Sequence, residues 1–255
     1  MPLNEAEIEA REIEAFLISV SRSVVGIVGR QHGEFGKGIG TGTLIQLEEK
    51  PHVLTAAHVI QDCLPEELMF FMPSSIELQD RARGQLPRLR PTEVFAREPL
   101  IVKSARMDAR LDVAVIELSD IYCDYPNLTF RDIVPVPKPP PPGSDTVMMG
   151  FPARHAQRFG VGFMVFRFVE YPRVEDPGNR LFKDFDPNAH FLLDYPGSED
   201  YDPAGFSGSA LWGRKEETGL WQPNPRLLGM VLSYYRGPSL LQAISAQRIA
   251  AFLGV

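Results

Sequence analysis

Near the middle of the chain, Pro135-Val-Pro-Lys-Pro-Pro-Pro-Pro-Gly143 strips out most of the N–H donors that a helix or an interior strand needs. A run of this kind is extended and semi-rigid, so no single sheet or helix passes through it. It is read as the linker between two halves. On its N-terminal side, Ser23 to Val28, Gly42 to Leu47, His52 to Ala56, Leu68 to Met72, Glu93 to Val102 and Leu111 to Leu118 are short, β-rich and separated by turn formers. The same character returns after it, at Thr146 to Phe151, Gly162 to Tyr171, Phe191 to Tyr195, Ser209 to Trp212, Leu227 to Tyr235 and Leu240 to Ile244. The 21 glycines and 23 prolines among 255 residues exceed the roughly 12% that these two types share on average, which favours many short elements over a helical bundle.

Helical spacing is confined to the ends. Asn4 and Glu7 stand as an N-cap and its N3 acid, and Ala6, Ala10, Ile13, Phe16, Leu17 and Val20 then recur on one face. Ser245 caps a second, short helix with Ile249, Phe252 and Leu253 on one side and Gly254 beyond it. The predicted organisation is an amphipathic helix over 1–20, a β unit over 21–134, the linker over 135–143, a second β unit over 144–244 and a helix over 245–255.

The formal net charge of -7 gives no electrostatic case for nucleic acid or anionic lipid. One basic stretch, holding Arg81, Arg83, Arg88, Arg90, Arg97, Lys103, Arg106 and Arg110, reads as charged hairpin edges, with a patch for an acidic partner as the alternative. No apolar run reaches the ~18 residues of a membrane span, and the acidic N-terminus is unlike a secretory leader. Cys63 and Cys123 have neither a disulfide framework nor zinc-ligand spacing, so a reducing cytoplasm is expected. His32, His52, His155 and His190 share no ligand spacing, and Asp184, Asp186, Asp194, Glu199, Asp200 and Asp202 lack the order of a calcium loop. No metal and no cofactor are expected.

Three segments place a reactive residue type in a constrained setting: Thr55-Ala-Ala-His58, Leu111-Asp-Val-Ala-Val-Ile-Glu-Leu118 and Gly205-Phe-Ser-Gly-Ser-Ala210. A serine hydroxyl is a poor nucleophile at neutral pH. Acyl transfer therefore needs an imidazole to take its proton and a carboxylate to fix the imidazole tautomer. His58, Asp112 and Ser207 supply these groups, and Gly205 and Gly208 permit the backbone geometry that an oxyanion site requires.

With these motifs in the order His, Asp, Ser, the chain resembles the chymotrypsin-like (trypsin-like) serine peptidases, and among them the intracellular bacterial members. Gly40-Thr-Gly-Thr-Leu44, Met149-Gly-Phe-Pro152 and Leu228-Gly-Met-Val231 add to the likeness. The resemblance implies an all-β fold of two six-stranded antiparallel barrels, with His58 and Asp112 from the first and Ser207 from the second meeting at a cleft. It implies a serine endopeptidase acting on a protein or peptide, with catalytic His58, Asp112 and Ser207 and the backbone N–H groups of Gly205 and Ser207 as the oxyanion hole. Tyr201 and Asp202 would border the substrate pocket. Phe206 replaces the aspartate that pairs with a new N-terminus in many secreted relatives, so activation by that route is not expected. A catalytically latent or silent double-barrel module that binds peptides or a partner, including an activating or regulatory protein, is the alternative. An esterase using the same triad is a third reading.

Overall fold

The structure is a computed structural model that describes residues 5–31, 34–63, 68–78, 89–95, 102–120, 128–133, 145–151, 165–170, 185–195, 203–213, 225–236 and 239–255. The linker 135–143 and the Asn4 cap lie outside these residues. Helix α1 (Glu5–Ser21) carries the apolar spacing legible in the sequence, and Phe16, Leu17 and Val20 are fully buried. Strands β1 (Val24–Gln31), β2 (Glu34–Leu47) and β3 (Lys50–Thr55) follow, then the single turn α2 (Ala57–Ile60). After them come β4 (Leu68–Leu78), β5 (Leu89–Phe95), β6 (Val102–Asp108), β7 (Val113–Leu118) and β8 (Arg131–Asp132). The second set comprises β9 (Asp145–Gly150), β10 (Val165–Glu170), β11 (His190–Asp194), β12 (Ala210–Gly213), β13 (Arg226–Tyr235) and β14 (Leu240–Ser245), before helix α3 (Ala246–Leu253).

The fold is mostly β, with antiparallel sheets and few helices. Its strand count departs from the expectation of two closed six-stranded barrels. The first sheet has eight strands, in the order β5-β4-β1-β2-β3-β7-β6, with β8 adding to β2 in parallel through Ile45 and Arg131. The second has six, in the order β10-β9-β12-β13-β14-β11. Both are open paths among the described residues. Of the two strands beyond six, one is β8, where Arg131 and Asp132 return to β2, and β6 ends the first path with Lys103 to Met107 exposed. Charge on this edge discourages further pairing: Lys103 reaches Asp120 at 3.0 Å, and the Arg106 guanidinium lies 4.9 Å over the Phe252 ring of α3.

Period-two alternation explains why several strands read as nearly continuous apolar runs. In β9, Val147 and Met149 face a core shared by the two sheets, while Met148 faces the second sheet's own core. In β7, Val113 and Val115 join the shared core, and Ala114, Ile116 and Leu118 join that of the first sheet. α1 and α3 cover the shared core with Phe16, Leu17, Val20, Ile249 and Leu253. Arg131 is buried beside it. Its guanidinium donates to Ser23 Oγ (2.6 Å), Ser19 O (2.6 Å) and Ser19 Oγ (2.8 Å) and lies 5.6 Å over the Trp212 ring. Burial pushes this group down to about 10, so it stays charged at neutral pH. α3 is capped as its sequence predicts, with Ser245 Oγ accepting from Arg248 N and Gly254 in the left-handed region at φ +84. No helix among the described residues is long and apolar enough to cross a membrane.

Candidate active site

β3 delivers the chain into α2, whose first turn holds His58. The turn before β7 holds Asp112. There Asp108 Oδ1 accepts from the N–H groups of Arg110 (2.9 Å) and Leu111 (3.0 Å), an Asx-type staple, and Asp112 follows at φ +55. A left-handed backbone is strained for most residues, and aspartate is among the few side chains that tolerate it. Three hydrogen bonds then fasten the turn to α2. Asp112 O accepts from Ala57 N (3.2 Å), Oδ1 from His58 N (2.9 Å), and Oδ2 from His58 Nδ1 (2.7 Å). Because an ionised carboxylate only accepts, the ring must carry its proton on Nδ1, which leaves Nε2 as a base. The His58 side chain is 41% exposed, so a substrate can reach it.

Ser207 stands between β11 and β12, and the described stretch 203–209 around it is held by several backbone hydrogen bonds. Phe206 N donates to Pro203 O (3.0 Å), Gly208 N to Val231 O (2.8 Å) and Ser209 N to Phe206 O (2.8 Å). Thr41 N donates to Ser207 O (2.8 Å), and Thr41 Oγ1 to Gly205 O (2.7 Å). The Phe206 ring, 1% exposed, packs with Tyr195, Leu211 and Leu241 in the second core and anchors the loop from beneath. Gly205 and Gly208 have φ of +97 and +89, and a Cβ at Gly208 would sit 1.9 Å from Thr41 O, so only glycine fits there. The N–H groups of Gly205 and Ser207, by contrast, make no hydrogen bond to any described residue. Two such donors flanking one residue can receive an anionic oxygen.

The Ser207 hydroxyl donates to Leu232 O at 2.9 Å and is not hydrogen-bonded to His58. Leu232 lies at the register shift of β13 against β14, between Val231 and Ser233. The structure thus brings His58 and Asp112 into direct contact and ties the Ser207 loop to β2 and β13. Tyr201 and Asp202 lie outside the described residues. So do His32 and His155, whereas His52 Nδ1 faces Lys50 O and His190 Nδ1 accepts from Asp186 N at 3.1 Å. Among the described residues no three of His, Cys, Asp and Glu stand close enough to hold a metal ion.

The sequence reading did not assign roles to Thr41, Thr55 or Leu232. Thr55 Oγ1 donates to Thr41 O at 2.7 Å, and both threonines are fully buried. Their signal was a hydroxyl residue between glycines in Gly40-Thr-Gly-Thr and another opening the histidine motif. Leu232 contributes a backbone oxygen, which any residue carries, so its side chain gave no signal.

The family model described as a trypsin-like peptidase domain matches residues 40–217. No curated protein matches the sequence. Among solved structures, the chain is similar to the inactivated protease paralogue S-I1 of the scabies mite, with a TM-score of 0.65 and 16% identity over 93% of this chain and 94% of that one. It is also similar to the Rv3671c protease from M. tuberculosis. The active form gives a TM-score of 0.53 and 17% identity over 100% and 92% of the two chains, and the inactive form 0.51 and 18% over 96% of each. Identities this low speak for the fold alone.

Proposed function

We propose, from the premise that this chain belongs to the trypsin-like peptidase family, that it is a serine endopeptidase working through His58, Asp112 and Ser207. The observation that carries this reading is the two-point grip of Asp112 on His58, with one oxygen on the ring Nδ1 and the other on the backbone N–H. That grip fixes both tautomer and ring orientation before substrate arrives. Ser207 Oγ rotates away from Leu232 O and attacks the scissile carbonyl carbon while its proton passes to His58 Nε2. Oxygen charge develops toward the N–H groups of Gly205 and Ser207, and their having no hydrogen-bond partner among the described residues supports this role. The C–N bond then breaks, His58 gives its proton to the leaving amine, and the acyl group stays on Ser207 Oγ. Water, deprotonated by His58, attacks the ester and returns the serine.

In this reading the two sheets are the two barrels of the family, divided at 135–143, and the substrate is a protein or peptide lying as a strand along Ser233–Tyr235 of β13. Tyr201 and Asp202 border its pocket, and the enzyme acts in the cytoplasm. A fluorophosphonate tests the reading without a known substrate. Mass spectrometry should place the adduct on Ser207 of the wild type, and Ser207→Ala and His58→Ala should abolish it. A second reading is favoured by the hydrogen bond from Ser207 to Leu232 O: a latent or silent module that binds peptides or awaits a regulatory protein. Folded wild type that resists labelling, yet binds peptides equally with and without Ser207→Ala, would establish that module instead.

A further inference from the structure

We propose that Thr41 is a positioning residue that sets the amide geometry of the Ser207 loop from the opposite sheet. The inference rests on the serine hydrolase reading above and adds a residue to it. Thr41, on β2, grips the loop twice: its N–H holds Ser207 O at 2.8 Å and its hydroxyl holds Gly205 O at 2.7 Å. These two carbonyls belong to the peptides on either side of the one that carries the Ser207 N–H. Their own N–H groups are engaged as well, Phe206 N on Pro203 O and Gly208 N on Val231 O. With both neighbours held at each end, and its own carbonyl accepting from Ser209 N at 2.8 Å, the peptide between them is fixed while its Ser207 N–H makes no hydrogen bond to any described residue.

Gly205 explains why a side chain is needed for this. Glycine adopts positive and negative φ with similar ease, so the backbone alone does not select the φ of +97 seen here. The hydrogen bond from Thr41 Oγ1 selects it by fixing the peptide that follows Gly205. The same hydroxyl accepts from Phe151 N at 3.0 Å, at the end of β9, and Thr41 O accepts from Thr55 Oγ1 at 2.7 Å, three residues before His58. A Cβ at Gly150 would lie 2.7 Å from Thr41 Oγ1, so a glycine there leaves room for the hydroxyl. One buried threonine therefore joins the strand end leading to His58, the start of the second sheet and the nucleophile loop. A structural tie between sheets would not need to fall on the two carbonyls that bracket the Ser207 amide.

The experiment measures fluorophosphonate labelling of the full chain as a function of probe concentration, for wild type, Thr41→Val and Thr41→Ser, each below its melting temperature. Valine keeps the shape and the backbone N–H and deletes only the hydroxyl. Misplacement of reacting groups by about 1 Å costs on the order of 10²-fold in rate, so the saturating labelling rate of Thr41→Val should fall by about that factor. Its half-saturating concentration and pH profile should stay at the wild-type values, because His58 is untouched, and Thr41→Ser should restore the rate to within about threefold. Should Thr41→Val be unfolded at the assay temperature, Thr41→Ala, which also lacks the donor, is measured against the same criteria. Wild-type labelling with a folded Thr41→Val or Thr41→Ala reacting at the wild-type rate overturns the role of Thr41 and leaves the hydrolase reading standing. Folded wild type that takes no label overturns the hydrolase reading, and the inference falls with it.

Discussion

Asp112 carries two demands at one position: a left-handed backbone at φ +55 and a carboxylate with both oxygens on His58. Substitutions can separate them. Asparagine also tolerates the left-handed region, so Asp112→Asn should fold with a melting temperature close to wild type. Its amide can present an N–H where Nδ1–H now donates, which stabilises the wrong imidazole tautomer, and labelling of Ser207 should drop by about 10⁴-fold. Alanine loses the carboxylate and meets the steric penalty at positive φ, about 1 kcal/mol. Asp112→Ala should therefore be as inactive as Asp112→Asn and measurably less stable by thermal melting. Equal stability of the two variants would remove backbone strain from the account, and retained labelling in Asp112→Asn would remove the tautomer argument.

At the scale of elements, what holds α1 in place is partly apolar and partly a single guanidinium. The apolar part was legible: the 3.6-residue spacing of Phe16, Leu17 and Val20 gives both the helix and its buried face. The polar part was not, because Arg131 is distant in sequence from Ser19 and Ser23, and nothing local marks them as partners. A planar fork with several donors can hold three acceptors at once, and an ammonium on a flexible stem cannot match that geometry. Arg131→Lys should cost about 2 kcal/mol and speed hydrogen exchange at the C-terminal end of α1. Burial already depresses the arginine to about 10, and lysine starts from a lower ordinary value of ~10.4. A base whose folded value lies below its unfolded one destabilises the fold while it is charged, and loses that penalty as pH rises through the folded value. The stability deficit of Arg131→Lys relative to wild type should therefore shrink between neutral pH and about pH 10. A deficit that is constant across that range would mean that the lysine is not desolvated.

Across the whole molecule, the β character, the two sets of strands and the segments holding His58, Asp112 and Ser207 could be read from composition, turn formers and short motifs. Their arrangement could not. The eighth strand of the first sheet is two residues long, Arg131–Asp132, and a parallel pairing with β2 has no local signature. The acceptor for Ser207 Oγ depends on a register shift at Leu232 that leaves hydrophobic alternation ambiguous by one residue. A further property that only the assembled fold reveals is that the largest apolar cluster among the described residues belongs to neither sheet alone. It joins Phe16 and Leu17 of α1, Leu54 and Val113 of the first sheet, Met149, Trp212 and Met230 of the second, and Ile249 of α3. Chains of this length often unfold in stages when each part has a separate core. Here, removing one sheet exposes the apolar face of the other, so the two should unfold together. Urea unfolding followed by tryptophan fluorescence and by far-UV circular dichroism should give coincident transitions. Phe16→Ala, made in a helix outside both sheets, opens a cavity in that shared cluster and should cost about 3–5 kcal/mol, moving both transitions by the same amount. Two separated transitions in the wild type, or a Phe16→Ala shift confined to one probe, would mean that the halves are stabilised independently and that the shared cluster is a contact between finished domains.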